Sequence, residues 1–172
     1  MSNIIYLALG SNLGDKLAYI KSAYRLLTQN NIIITQYAPL YESDAVGVTD
    51  QPTFLNTVVA TISDLSPIEL LNVIKKIEKQ IGRKKRQIWG PREIDIDIIL
   101  YKDTICRSTY LTIPHAEMLK REFVLLPLSQ IAPNVRHPEN NQTIKQLLDY
   151  YYANTQDNTR SARIFTPTKT EQ

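Results

Sequence analysis

One domain that mixes strands and helices is predicted by three observations in the 172-residue chain. It is 43% hydrophobic, enough at this length to fill one sizeable core. Short apolar runs with strand character, Ile4 to Leu9, Phe54 to Ile62 and Ile94 to Tyr101, are separated by segments whose apolar residues recur at helical spacing. No run of eighteen apolar residues occurs, and Met1 to Leu9 has neither a basic n-region nor a cleavage site, so a soluble cytoplasmic protein without a membrane partner is expected.

Each element has its own signal. The first run ends in Gly10-Ser11-Asn12-Leu13-Gly14-Asp15, which lacks the lysine and hydroxyl of a phosphate loop and reads as a turn with a helix cap. Leu13, Leu17, Ile20, Tyr24 and Leu27 then form one helical face, stopped by Asn30-Asn31. Ile32 to Tyr41 is a second strand whose Pro39 belongs at an edge or a bend. Glu42 to Pro52 has no period and is a loop of eleven residues, a candidate lid. Along Phe54 to Ile62, Phe54, Asn56, Val58 and Ala60 share a face. The amide of Asn56 among apolar neighbours either pairs with backbone or reads a ligand's hydrogen-bonding edge. Ser66-Pro67-Ile68-Glu69 is a capping box with proline at the first helical position, and Leu70, Ile74, Ile77 and Ile81 carry that helix to Gly82.

A second loop, Arg83 to Ile88, is strongly basic, and after the strand Ile94 to Tyr101 come short strands at Thr104 to Cys106 and Tyr110 to Ile113. His115 follows Pro114 as a turn residue, Val124 to Ala132 is helical, and Thr143 to Tyr150 is a short last helix. The domain is therefore placed at residues 1–152. From Ala153 the composition is polar, and a disordered tail over 153–172 is expected.

The chemistry concentrates in Trp89 to Leu100. Strand side chains alternate, so Asp95 and Asp97 share a face roughly 6.5 to 7 Å apart, opposite Ile94, Ile96 and Ile98. Such a pair either brackets two Mg²⁺ ions, which lie about 3.5 to 4 Å apart in phosphoryl-transfer sites, or is a solvated edge. Read this way, metal is the only evident partner of both aspartates. Arg92, aimed by Gly90-Pro91, offers a guanidinium fork for phosphate. Net charge is 20 − 17 = +3, yet Lys75 to Arg92 holds eight basic residues and one acidic residue, a local +7. A nucleotide triphosphate or a nucleic acid would suit that patch. Cys106 is the single cysteine and the two histidines are far apart, so an internal disulfide framework is excluded, a zinc site is not expected and any metal should be oxygen-bound.

These pieces, in this order, resemble the 6-hydroxymethyl-7,8-dihydropterin pyrophosphokinases of the folate pathway. The resemblance spans about Ile4 to Tyr150. It rests on Leu9-Gly10-Ser11-Asn12, Gln51-Pro52-Thr53-Phe54-Leu55-Asn56, Gly82-Arg83, Trp89-Gly90-Pro91-Arg92 with Asp95 and Asp97, and Pro114-His115 with Met118, Arg121 and Phe123. It implies an α+β fold, a ferredoxin-like antiparallel sheet flanked by helices in three layers, and transfer of diphosphate from ATP to a pterin alcohol in a monomer with no nucleic-acid partner. It further implies that Asp95 and Asp97 hold two Mg²⁺ ions and that Arg83, Arg92 and Asp97 act in catalysis. Lys85, Trp89, Arg92, His115 and Arg121 would contact the nucleotide, and Ser43, Val46, Phe54, Asn56, Trp89 and Phe123 the pterin. Stacking suits a flat heterocycle, and a buried amide discriminates against rings that lack its partners.

Four positions depart from the family pattern. Lys85 and Ile88 stand where arginines are usual, and Ser43 and Ala45 where threonine and proline are. Lysine keeps the charge and loses the fork. Two other readings compete: a two-metal nucleotidyltransferase that releases pyrophosphate, which the carboxylates alone do not separate from a pyrophosphokinase, and an RNA-binding ferredoxin-like module, which lacks the basic-Gly-aromatic strand motif.

Overall fold

The computed structural model describes residues 3–46, 50–84, 90–155 and 161–166. Its elements are β1 (Asn3–Ser11), α1 (Lys16–Gln29), β2 (Ile33–Tyr37), β3 (Tyr41–Ser43), β4 (Phe54–Ser63), α2 (Pro67–Ile81), β5 (Asp95–Tyr101), β6 (Cys106–Arg107), β7 (Thr112–Ile113), a 3₁₀ turn (Met118–Lys120), α3 (Glu122–Ile131), α4 (Ile144–Asn154) and β8 (Ala162–Ile164). The main sheet runs β5-β1-β4-β3-β8, with β2 also on β4, and these pairings are antiparallel.

The sheet separates two apolar layers, because its side chains alternate. Ile5, Leu7, Leu9, Leu55 and Ile96 pack with Ile20 and Leu27 of α1 and Leu70, Ile74 and Ile77 of α2. On the other face Tyr6, Val58 and Ala60 meet Val124, Leu125 and Leu128 of α3 and Ile144 and Leu147 of α4. This is the expected three-layer α+β arrangement. A register shift between β1 and β5 at Tyr6/Leu7 leaves Ile99 extra, so Ile99 and Leu100 both reach the α3/α4 layer. The irregularity lies beyond Asp97, so Asp95 and Asp97 keep a common face, the one that α3 and α4 cover.

The predicted strand over Ile32 to Tyr41 is two strands. Both β2 and β3 pair with β4, and the break falls at Ala38–Leu40, where Pro39 has no N–H for the ladder. The first loop is accordingly shorter than expected, since Glu42 and Ser43 belong to β3. The capping box of α2 is present as expected, α4 has a second one between Thr143 and Gln146, and α2 ends on Gly82 at φ 111°, a left-handed cap that glycine accommodates.

The expected disordered tail needs correction. Helix α4 continues to Asn154, and β8 lies within 153–172, pairing with β3 through Ser43↔Ala162 and Tyr41↔Ile164. Ala162 is buried, and the Phe165 N–H donates to Leu40 O at 2.9 Å. Composition concealed this, because three residues of edge strand need backbone partners more than apolar side chains. Among the described residues no helix is long and apolar enough to cross a membrane.

Candidate active site

The site is the unfilled end of the α3/α4 layer. There Gly10 of β1 sits between Asn56 of β4 and Asp95 of β5. A Cβ on Gly10 would fall 2.9 Å from Asn56 Oδ1, so the missing side chain is what lets the amide lie over the strand. The resulting cavity, open to solvent, has one end lined by Phe54, Asn56, Ser43, Val46 and Phe123 and the other by Asp95, Asp97, Arg92 and Arg121.

At the apolar end Asn56 Nδ2 donates to Ser43 Oγ at 2.8 Å, and both residues are buried. The amide is therefore satisfied by a side chain, where the sequence left backbone or a ligand open. Phe54 and Phe123 line the cavity from β4 and α3, and the Arg121 guanidinium lies 5.8 Å from the Phe123 ring centroid, within reach of a cation–π contact.

The charged end is a network. Asp95 takes Arg83 Nη1 on Oδ1 at 2.7 Å and Arg92 Nη1 on Oδ2 at 2.8 Å. Metal is thus not its only partner. Arg83 also meets Glu78 at 2.6 Å, and Glu78, buried on α2, accepts the Ile96 N–H at 2.8 Å and pairs with Lys75 at 3.0 Å. Burial pushes the Asp95 carboxyl up, but Arg83, Arg92 and Lys75 outweigh it and hold the group below its ordinary value. Asp97 goes the other way. Burial first and the Asp95 charge second push it up to about 7, because no cation grips it as Asp95 is gripped: Arg121 Nη1 lies 3.9 Å away, and the imidazole Nε2 of His115 lies 3.8 Å away.

His115 faces Asp97 and also keeps its predicted turn role. Its N–H donates to Ile99 O at 3.0 Å and its Nδ1 accepts the Glu117 N–H at 3.2 Å, which assigns the ring proton to Nε2, toward Asp97. Burial and then Arg121 lower its pKa, so the ring is neutral near pH 7.

Asn12, Glu78 and Lys75 escaped the sequence reading. Asn12 Oδ1 accepts the Arg92 N–H at 2.8 Å while its Nδ2 donates to Gln51 Oε1 at 2.9 Å and Pro52 O at 3.1 Å, tying the entrance to β4 to the turn that aims Arg92. The Gly10-Ser11-Asn12 stretch was legible as a turn and as a family motif but not by its contacts, since these partners lie 39 to 80 residues away. Glu78 had a signal: it is the lone acid in the basic run. Of the predicted site residues, Lys85 and Trp89, and with them Ile88, lie outside the described residues.

The donor set fits divalent magnesium. Two carboxylates on one face, one of them short of positive charge, suit an ion that keeps waters and takes substrate phosphates, and among the described residues no group of three or more His, Cys, Asp or Glu is placed to cage a metal. Paired aspartates, arginines and two phenylalanines around one cavity are the parts that a phosphoryl-transfer enzyme uses.

The comparisons give the particular family. The model of the 7,8-dihydro-6-hydroxymethylpterin-pyrophosphokinase family matches residues 6–133, and the chain belongs to that family. A 2-amino-4-hydroxy-6-hydroxymethyldihydropteridine pyrophosphokinase of Aquifex aeolicus is 47% identical over 142 residues, 83% of this chain and 88% of that protein. Its Bacillus subtilis counterpart is 42% identical over 136 residues, 78% and 81% respectively. The crystal structure of a Plasmodium falciparum HPPK-DHPS triple mutant superposes with a TM-score of 0.75 at 17% identity, over 95% of this chain and 47% of that one, which establishes the fold; the chain spans about half of that protein's length. The chain is an ATP-dependent pyrophosphokinase of folate synthesis. The nucleotidyltransferase and RNA-binding readings are not favoured.

Proposed function

We propose that the chain transfers the β,γ-diphosphate of ATP to the hydroxymethyl group of 6-hydroxymethyl-7,8-dihydropterin, with the pterin at the Phe54/Asn56/Phe123 end of the cavity and the triphosphate at the charged end. The observation that carries this reading is the cavity itself, apolar at one end and lined by Asp95, Asp97, Arg92 and Arg121 at the other. Asn56, Ser43 and Val46 are assigned to the pterin, and His115, Arg121 and Lys85 to the nucleotide, with Trp89 assigned to both.

Asp95 and Asp97 would hold two Mg²⁺ ions, which supply charge neutralisation on the phosphates and on the leaving group when bound. The acceptor oxygen bonds to the β-phosphorus, the bridge from the α-phosphorus breaks, and AMP departs with the electron pair. The alcohol's proton leaves late because the transition state is loose, and Asp97 is assigned to take it. Arg83 and Arg92, which grip Asp95 in this structure, carry the work of neutralising the transferring group, so the reaction exchanges those ion pairs for phosphate contacts. The reading includes a cytoplasmic monomer, since one chain supplies both ends of the cavity, and sedimentation tests that part.

Phosphorus NMR of a reaction with Mg²⁺, ATP and the pterin alcohol is the test. AMP and a pterin diphosphate are expected. Pyrophosphate with a nucleotidylated product would restore the transferase reading, and ADP would overturn every version of the site assigned here.

A further inference from the structure

The C-terminal strand β8 touches both sides of the pterin end of the cavity. On one side it extends the sheet, pairing Ser43 with Ala162, Glu42 with Arg163 and Tyr41 with Ile164, so it backs the strand that holds Ser43 against Asn56. On the other side it meets Glu122, the first residue of α3, which lies between Arg121 and Phe123. Glu122 is 2% exposed. Its Oε2 accepts the Ser161 N–H at 2.8 Å, the Ser161 hydroxyl at 2.6 Å and the Ala162 N–H at 3.1 Å, and its Oε1 accepts the Tyr152 hydroxyl at 2.7 Å.

We infer that Glu122 and the segment Ser161–Ile164 form a clamp that sets the width of the pterin slot, with Glu122 and Ser161 as positioning residues that touch neither substrate. The physical ground is the number of strong bonds converging on one buried atom. A carboxylate oxygen out of water needs its lone pairs filled, charge-assisted bonds are about twice as strong as neutral ones, and of the four donors here three come from Ser161 and Ala162 and the fourth from Tyr152 of α4. Because Glu122 shares its turn with Arg121 and Phe123, moving its carboxylate moves the start of α3. Ser43 is coupled through the ladder in the same way. Folding alone would be served by burying an apolar residue at 122. A charge that reaches across to the sheet's added strand instead fixes one wall of the slot relative to the other.

The inference rests on the pterin assignment above, and the experiment separates the two. Pterin and ATP KM values and kcat are measured at 25 °C for the full chain, for Ser161→Ala, Ser161→Thr and Glu122→Gln, and for a chain ending at Thr155, with a thermal melt of each. Turnover of the full chain establishes the reading on which the clamp depends, and no pterin-dependent turnover overturns both. With turnover, Ser161→Ala and Glu122→Gln are expected to raise the pterin KM roughly tenfold, at the low end of coupling between linked sites, with kcat and the ATP KM within about twofold. Ser161→Thr, which keeps both donors, restores the wild-type KM. A merely structural role would lower the melting temperature and the active fraction, seen as reduced kcat at unchanged KM, and that result overturns the clamp. A pterin KM within about twofold of wild type in both point variants also overturns it. These two variants decide the matter if the shortened chain does not fold.

Discussion

The two ends of the cavity are built by opposite strategies. At the charged end Arg92, Asp95 and Asp97 come from six consecutive residues, and the strand's own alternation delivers both carboxylates to one face. At the apolar end Ser43, Phe54, Asn56 and Phe123 come from three elements, and they meet only because β3 pairs with β4 and α3 covers the sheet beside them. Even within the charged end, neighbours differ: Asp95 is held down by two arginines, while Asp97, two residues on, is pushed up to about 7. Strand geometry sets where a carboxylate points, and distant partners set its charge.

The largest expected effect breaks the charged end. Asp95→Ala and Asp97→Ala should each lower turnover by roughly 10³-fold or more, since each removes a carboxylate from the assigned metal pair. Stability should separate them. Asp95→Ala leaves Arg83 and Arg92 without their shared partner and should lower the melting temperature, by roughly 2 to 6 °C. Asp97 has a folded-state pKa raised above its ordinary 3.8, so its favourable contribution is complete below that value and is lost as pH rises through about 7. Asp97→Asn should therefore melt higher than wild type at pH 8 without Mg²⁺, and the difference should shrink toward pH 4. Melts that shift in the same direction for both positions would remove the contrast between the two aspartates.

Next in size is Arg92→Ala, expected to cost roughly 10² to 10³ in kcat with a smaller change in ATP KM, because the group is assigned to charge that develops during transfer. A defect confined to KM would move Arg92 to ground-state binding. The apolar end is probed by Gly10→Ala. The new Cβ would meet Asn56 Oδ1 at 2.9 Å, so the amide must shift, and the pterin KM should rise about tenfold or more with little change in the ATP KM. Equal changes in both KM values would mean that the two ends do not act separately. The smallest effect is expected for Asn12→Ala. It removes the side-chain bonds to the Arg92 N–H, Gln51 and Pro52, and should lower kcat about threefold to tenfold by loosening the turn that aims Arg92. An unchanged kcat with a lower melting temperature would reduce Asn12 to a structural tie.

Much of the fold was legible in local signals. The capping box at Ser66, the glycine that ends α2, the apolar run of β1 and the two-residue period of β4 and β5 depend on neighbours within a few positions, and local sequence encodes those interactions directly. The facing of Asp95 and Asp97 came from the same period. By itself, then, the sequence determined the strands and helices that frame the site, the shared face of the carboxylates and, through several ordered motifs, the family.

What only the tertiary structure decided is who meets whom. That Asn56 pairs with Ser43, that Asp95 is gripped by Arg83 and Arg92, that Glu78 holds Arg83 and the strand at once, and that a polar chain end docks as β8 on Glu122 are contacts between residues 3 to 39 positions apart. Hydrogen bonds and ion pairs of this kind carry no periodic trace, because a single donor and acceptor suffice and neither must repeat along the chain. Their strength and the resulting pKa values depend on burial and on distances of a few ångströms, which exist only once the sheet and its two helical layers have closed around them.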